Sequence, residues 1–190
     1  GALVIGSTET DPALQVGHRY RVEETIAPNG YILPDVHPAV EFTITDDGTF
    51  SNVSTYGTAD ADNDGKAMSF TDKPISLKLV KYDNGDNVVE QHPFGGVEFT
   101  LYSINGTERT FIGKAKTTDD GEITFGAKGE SMLPVIGGQE YVLVETPKDV
   151  YTPLGELRFK VTFDGKIEIT ERITGYTLLE GMTELKAENE

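Results

Sequence analysis

The fold is decided by residues 75–81, Ile-Ser-Leu-Lys-Leu-Val-Lys, in which apolar and polar side chains mostly alternate. The same alternation occurs in residues 97–102 (Val-Glu-Phe-Thr-Leu-Tyr), 141–145 (Tyr-Val-Leu-Val-Glu) and 159–163 (Phe-Lys-Val-Thr-Phe). A period of two is typical of half-buried β-strands, and these residue types suit a pleated surface. Turn signals of the Asx-Gly type separate the runs, at Asp47-Gly48, Asn84-Gly85, Asn105-Gly106, Asp120-Gly121 and Asp164-Gly165. The sequence therefore predicts an all-β fold of antiparallel β-sandwiches.

Charge and composition exclude several classes of function. The chain has 190 residues, 16 Lys and Arg against 32 Asp and Glu, and a net charge of −16. Binding to nucleic acid or to an anionic membrane surface requires clustered basic residues, so neither partner is expected. There is no cysteine, which excludes disulfides and Cys-based metal or nucleophile sites.

No arrangement of residues indicates a conventional enzyme. The histidines His18, His37 and His92 are scattered, and neither a Gly-x-Ser-x-Gly elbow nor a phosphate-binding Gly-rich loop is present. We therefore predict no cofactor and no catalysis on a separate substrate.

An internal repeat divides the chain. Residues 17–25 match residues 138–146, since in both a Tyr follows a Gly by three positions and a Glu-Thr pair begins four positions later. Downstream, Phe42 precedes Gly48 at the same spacing as Phe159 precedes Gly165. The repeat predicts two copies of one domain type, residues 1–73 and 74–190. The first copy begins at a run similar to the second strand of the other copy, so its own N-terminal strand is expected to be missing.

A longer signature stands in the first copy, Tyr20-x-x-x-Glu24-Thr25-x-Ala27-Pro28-x-Gly30-Tyr31. It resembles the E-box of CnaB-type, or SpaA-like, domains, which make up the pilins and adhesin stalks that sortases attach to the cell wall of Gram-positive bacteria. The second copy keeps Tyr141-x-x-x-Glu145-Thr146 and then departs from the pattern. The resemblance implies tandem immunoglobulin-like or prealbumin-like sandwiches. It also implies an internal isopeptide bond between a Lys on the first strand and an Asn or Asp on the last, assisted by the E-box Glu.

Strand phase identifies the residues for that bond in the second copy. Lys81 is in phase with the apolar residues of its run, Glu145 with Tyr141 and Leu143, and Asn189 with apolar residues of the last strand. All three polar groups are therefore expected on inward faces, where an unpaired polar group is costly. Burial favours a neutral lysine nucleophile beside a protonated carboxyl. A buried Lys–Glu ion pair without a covalent link, or a frayed Asn189 at the end of the last strand, is the alternative.

The first copy has the corresponding carboxyl groups, Glu24 and Asp72, each in phase with apolar neighbours. The lysines before the junction, Lys66 and Lys73, do not lie on a first strand. We therefore predict an incomplete site here and no bond within this copy. The missing Lys is expected on a strand upstream of Gly1 or on a peptide that completes the sheet by strand addition.

A candidate calcium loop is present at Asp60, Asp62 and Asp64, which lie at alternate positions before Gly65. Thr71 stands where such a loop has a bidentate Glu, so a metal-free hairpin turn is the competing interpretation.

These features together predict a structural cell-surface protein, a pilin or adhesin-stalk subunit located at the cell wall. Its expected partners are other pilus subunits or peptidoglycan, joined through sortase, and host extracellular matrix. An adhesive module that contacts host matrix protein or glycan through predicted loops such as residues 103–118 or 126–138 is the alternative.

Overall fold

The computed structural model describes residues 14–62, 64–83, 92–126, 132–147, 152–171 and 173–189, with Asn189 described by its backbone alone. All secondary structure in these ranges is β-structure, so the predicted all-β class is confirmed. Within the same ranges, no helix exists that is long and apolar enough to cross a membrane.

The strands are numbered along the chain. They are β1 (Arg19–Glu23), β2 (Tyr31–Ile32), β3 (Ala39–Ile44), β4 (Phe50–Tyr56), β5 (Ala59–Ala61), β6 (Met68–Phe70), β7 (Lys73–Pro74), β8 (Ser76–Asp83), β9 (His92–Pro93), β10 (Glu98–Asn105), β11 (Glu108–Lys116), β12 (Glu122–Gly126), β13 (Met132–Pro134), β14 (Glu140–Glu145), β15 (Leu157–Val161), β16 (Ile167–Glu171), β17 (Tyr176–Leu178) and β18 (Glu184–Asn189).

The described residues divide into two compact units. The first contains the residues up to Ala27 and Leu33–Asp72, and the second contains Pro28–Ile32 and the residues from Lys73 onward. The short segment Pro28–Ile32 lies with the second unit because β2 pairs with β7. The predicted domains, residues 1–73 and 74–190, stay a prediction. The predicted lack of a first strand falls on residues 1–13, outside the described part of the chain.

The first unit has a small core. Its antiparallel sheet has the order β1-β3-β4, and β5 and β6 form a separate hairpin. The inward side chains of β3, Val40, Phe42 and Ile44, are buried. The Phe42 ring lies 4.7 Å from the Phe50 ring and 6.1 Å from that of Tyr20. The packing therefore joins all three strands of the sheet.

The second unit is a β-sandwich. One sheet is antiparallel with the order β11-β10-β14-β15-β16, and the other has the order β13-β12-β8-β18-β17, with β9 also paired to β8. Two pairs in the second sheet are parallel, β12 with β13 and β8 with β18. Inward side chains from both sheets form one core, in which the Phe159 ring lies 5.7 Å from Tyr141 and 6.1 Å from Phe125.

Two stretches differ from their sequence-based interpretation. The run at residues 159–163 was expected to be a strand throughout, but β15 ends at Val161 and Phe163 is 61% exposed. The reason is a turn in which the Gly165 amide donates to the Thr162 carbonyl at 3.0 Å. Residues 103–118 were treated as a loop, but most of them belong to the hairpin of β10 and β11, whose turn uses Gly106 at a φ of +62°.

Phe159→Ala should destabilise the second unit by about 3–5 kcal/mol, because it removes a fully buried ring and leaves a cavity between the sheets. Phe111→Ala is the matched control, since Phe111 is 58% exposed. Urea unfolding of both variants should show a large loss of stability for the first and a loss below about 1 kcal/mol for the second. Equal losses would contradict the described core.

Candidate functional site

Lys81 is a fully buried lysine near the end of β8. Its side chain is 0% exposed and lies on the same face of the strand as Leu77 and Leu79. Its backbone is fixed on both sides, since its N–H donates to the Gly121 carbonyl at 2.8 Å and its carbonyl accepts from the Phe94 amide at 2.8 Å. The amine is therefore held inside the sandwich by the strand that carries it.

The surroundings of Lys81 disfavour its charged form. The Nζ donates to the Tyr82 carbonyl at 3.0 Å. Burial lowers the pKa of Lys81, although the carboxyl groups of Glu145, Asp83 and Glu188 act in the opposite direction. A lowered pKa raises the fraction of neutral amine near neutral pH, and only the neutral amine is a nucleophile.

Glu145 is the carboxyl group that the fold brings to this amine. It is the last residue of β14 and is 5% exposed, and its backbone pairs with Phe99 of β10. Its Oε2 accepts a hydrogen bond of 3.1 Å from the Leu154 amide. Because Glu145 belongs to one sheet and Lys81 to the other, the two side chains approach each other from opposite walls of the core.

The last strand, β18, runs parallel to β8 and is its direct neighbour. Ala187 is the register partner of Lys81, and Asn189 follows two residues later, opposite Asp83. The side chain of Asn189 lies outside the described part of the structure. The backbone register therefore brings the predicted partner residues to neighbouring strands, and the bond itself stays a prediction.

Tyr176 is a further polar residue near Lys81, and no sequence pattern predicted its place there. It is 9% exposed and is the register partner of Ala187 on the other side of β18. Lys81, Ala187 and Tyr176 therefore form one row across three adjacent strands. The available sequence signal was weak, because β17 has three residues and follows a turn.

A glycine supports the segment that holds Glu145. Gly175 has a φ of +91°, and a Cβ there would lie 2.7 Å from the Glu188 carbonyl oxygen and closer still to the Leu154 side chain. Its carbonyl accepts from the Glu188 amide at 2.8 Å. A side chain at residue 175 would therefore push against Leu154, whose amide donates to Glu145.

The first unit contains a related pair of carboxyl groups. Glu24 directly follows β1, and its amide donates to the Pro38 carbonyl at 2.9 Å. Its carboxyl group is hydrogen-bonded to Asp72, while its Oε2 is buried without a hydrogen-bond partner among the described residues. Burial raises the pKa of Glu24, and the charge of Asp72 and their hydrogen bond raise it further. Lys66 and Lys73 are exposed. The absence of a bond within this copy stays a prediction.

Of the candidate calcium residues, Asp60 belongs to β5, whereas Asp62 and Asp64 lie in the turn between β5 and β6. The Asp62 carboxylate accepts backbone hydrogen bonds from Lys66 at 2.8 Å and Ala67 at 3.0 Å, and these bonds lower its pKa. Asp60 accepts from the Ala61 amide at 2.8 Å. Among the described residues, which leave out Asn63, no three His, Cys, Asp or Glu side chains are grouped so that they could hold a metal ion. Asp62 therefore acts as an acceptor that fixes the turn.

Gly175→Ala should destabilise the protein more than Gly181→Ala. Both glycines have a left-handed φ, +91° and +89°, so both variants carry backbone strain of about 1–2 kcal/mol. A Cβ at residue 181 meets nothing within 4 Å, whereas one at residue 175 meets Leu154 and Glu188. Urea unfolding should show an extra loss of about 1–3 kcal/mol for Gly175→Ala. Indistinguishable midpoints would contradict the described packing.

The stability of the first unit should fall as the pH rises above about 4.5, the ordinary pKa of a glutamate. A raised pKa means that folding retains the proton on Glu24. The resulting stabilisation is fully present at a pH below the ordinary pKa of Glu24. It is lost as the pH rises through the raised pKa of Glu24 in the folded protein.

Glu24→Gln should remove this dependence. Glu23→Gln is the control, because the hydrogen bond from Arg21 lowers the pKa of Glu23. Hydrogen exchange of the β3 amides in the full chain, expressed as protection factors at each pH, provides the measurement. A first unit that gains stability with rising pH would contradict the description of Glu24.

Comparison with known proteins finds neither a family model nor a curated protein that matches this chain. Among solved structures, the chain is similar to a C-terminal fragment of the pilus adhesin SpaC from Lactobacillus rhamnosus GG, with 19% identity, coverage of 96% of this chain and 79% of that one, and a TM-score of 0.49. It is also similar to the pilus adhesin RrgA from Streptococcus pneumoniae, with 13% identity, coverage of 82% and 21%, and a TM-score of 0.43. The shaft pilin SpaA from Lactobacillus rhamnosus GG has 15% identity, coverage of 60% and 51%, and a TM-score of 0.34. Each of these TM-scores is below 0.5, so the function proposed below rests on the buried site instead.

Proposed function

We propose that this chain is a structural module of a cell-surface protein, a pilin or adhesin stalk, and that its second unit is locked by an isopeptide bond between Lys81 and Asn189. The observation that carries the proposal is a lysine with no exposed surface, placed in a hydrophobic core with a buried glutamate. Such a lysine is costly to keep as a free amine. Forming an amide removes the titratable group altogether, and the cost of keeping it buried ends.

The proposed reaction joins Nζ of Lys81 to the side-chain carbonyl carbon of Asn189. The new C–N bond forms as the bond from that carbon to the amide nitrogen breaks, and one ammonia leaves. Glu145 takes the proton that the attacking amine loses and passes it to the departing nitrogen. Folding supplies the effective concentration, since β8 and β18 are already hydrogen-bonded neighbours. The protein reacts once with itself, so it is not an enzyme in the ordinary sense.

The topology gives this bond a mechanical role. The strands β8 and β18 are parallel, so opposite pulls on the start of β8 and on the end of β18 shear them past each other. A covalent link between Lys81 and Asn189 would carry that force directly from one strand to the other. The remaining strands of the sandwich would then bear little of the load.

The composition fits the same role. A chain without cysteine cannot be held by disulfides, and its net charge of −16 suits neither nucleic acid nor an anionic membrane. The proposed partners are other subunits of a surface fibre or peptidoglycan, joined through sortase. The E-box resemblance of residues 20–31 supports an extracellular location at the cell wall.

Intact mass spectrometry of the purified full chain tests the proposal. The wild type should have a mass one ammonia below the value calculated from the sequence, because the reaction releases one ammonia. The variants Lys81→Met and Glu145→Gln should each have the full mass calculated from their own sequence, because neither loses ammonia. In the chain-entropy treatment of disulfides, the link should also stabilise the second unit by about 4–5 kcal/mol, which urea unfolding would show.

Lys78→Met is the matched control. Lys78 lies on the same strand but on the solvent side, where it contacts Glu184 at 3.1 Å and Glu122 at 3.3 Å. This variant should keep the reduced mass. A wild-type chain with its full calculated mass and an intact Asn189 would overturn the proposal.

A further inference from the structure

Tyr176 carries a buried hydroxyl group to which no described residue is hydrogen-bonded. The hydroxyl oxygen has no hydrogen bond within the described part of the structure. Burying such a group without a hydrogen bond is energetically costly. A phenylalanine would fill the same space without this cost, so the hydroxyl requires an explanation other than packing.

The hydroxyl belongs to the same row as the reacting amine. Tyr176 lies opposite Ala187 on one side of β18, and Lys81 lies opposite Ala187 on the other side. Asn189 is two residues beyond Ala187, and it is therefore the diagonal neighbour of both. Diagonal positions are about 7–8 Å apart at the backbone, within reach of a tyrosine or a lysine.

The hydroxyl of Tyr176 is buried and lies within the electrostatic influence of Glu145. Burial raises the pKa of Tyr176, and the charge of Glu145 raises it further. Tyr176 therefore keeps its proton at every physiological pH and acts as a neutral hydrogen-bond donor. It is not suited to act as a base.

The proposed reaction needs such a donor. When Lys81 attacks the carboxamide of Asn189, the C=O bond of the carboxamide opens and its oxygen gains negative charge. Glu145 moves protons between the two nitrogens, and one of its oxygens already accepts from the Leu154 amide at 3.1 Å. A carboxyl group that has accepted a proton from the amine can donate only that proton, so a second, permanent donor at the oxygen has a clear role.

We propose that the hydroxyl of Tyr176 is this donor, a catalytic group that stabilises the negative charge on the Asn189 carboxamide oxygen during bond formation. This inference rests on the function proposed above. The Tyr176 proton is shared in the hydrogen bond and is not transferred, so the products remain the amide and one ammonia. The unsatisfied hydroxyl is then an interaction reserved for the transition state.

Tyr176 also lines a groove between the margins of the two sheets, together with Ile167, Ile173 and Leu178. Because Tyr176 lies in the same row as Lys81, this groove gives the released ammonia a path to solvent.

Tyr176→Phe tests the inference, with Tyr141→Phe as the matched control. Tyr141 is also a buried tyrosine, but its hydroxyl accepts a hydrogen bond of 2.7 Å from the Ile136 amide. The full chain is produced by cell-free synthesis, samples are quenched with acid at intervals, and intact mass separates reacted from unreacted chains. Tyr176→Phe should form the bond about a hundredfold more slowly than the wild type. Its unreacted form should be no less stable than the matched unreacted wild type.

The control should show the opposite behaviour, with a loss of stability and an unchanged rate of bond formation. An unchanged rate in Tyr176→Phe, with a wild type that loses ammonia, would overturn the role of Tyr176 and leave the isopeptide bond intact. A wild type that never loses ammonia would overturn both. If Tyr176→Phe is slow only because it unfolds, its circular dichroism and unfolding midpoint will show this, and the inference fails.

Discussion

The second unit depends on the burial of one amine. Lys81 occupies a position in the core that alternation along β8 would otherwise give to an aliphatic residue, and its side chain has no contact with solvent. A charged amine in such surroundings must be neutralised, paired or chemically consumed. The neighbours of Lys81 are consistent with this constraint, since they include a buried carboxyl group on the facing sheet and an adjacent last strand.

The site is positioned by backbone register more than by side-chain contacts. Pairing of β8 with β18 sets which residue of the last strand lies opposite Lys81, and pairing of β18 with β17 sets the position of Tyr176. A shift of one residue in either pairing would turn the affected side chain to the opposite face of the sheet. The turn at Gly121, which accepts a hydrogen bond from the Lys81 backbone, and the packing of Gly175 against Leu154 also help to position these residues.

Strand phase predicted the fold class and the inward direction of Lys81 and Glu145, because the alternation is strong in their strands. The run at residues 75–81 predicted that Lys81 points inward, and its burial agrees with that phase. The sequence did not predict that Tyr176 lies in the row of Lys81 or that Pro28–Ile32 belongs to the second unit, and there is a physical reason. Their strands have two or three residues, too few to show alternation, and pairing with a distant partner decides their place. The end of β15 was misplaced because the Thr162–Gly165 turn overrides the β-propensity of Phe163.

The two units present different partners to a glutamate at the end of a Tyr-x-x-x-Glu run. In the first, Glu24 meets another carboxyl group, and burial of like charges is relieved by a proton that the raised pKa of Glu24 retains. In the second, Glu145 meets an amine whose lowered pKa releases its proton. A proton shared between two acids leaves no nucleophile, whereas a neutral amine beside a carboxyl group has both the nucleophile and the proton carrier that amide formation requires. The proposed difference between the two sites therefore depends on the group that the fold presents to the glutamate, a carboxyl group in the first unit and an amine in the second.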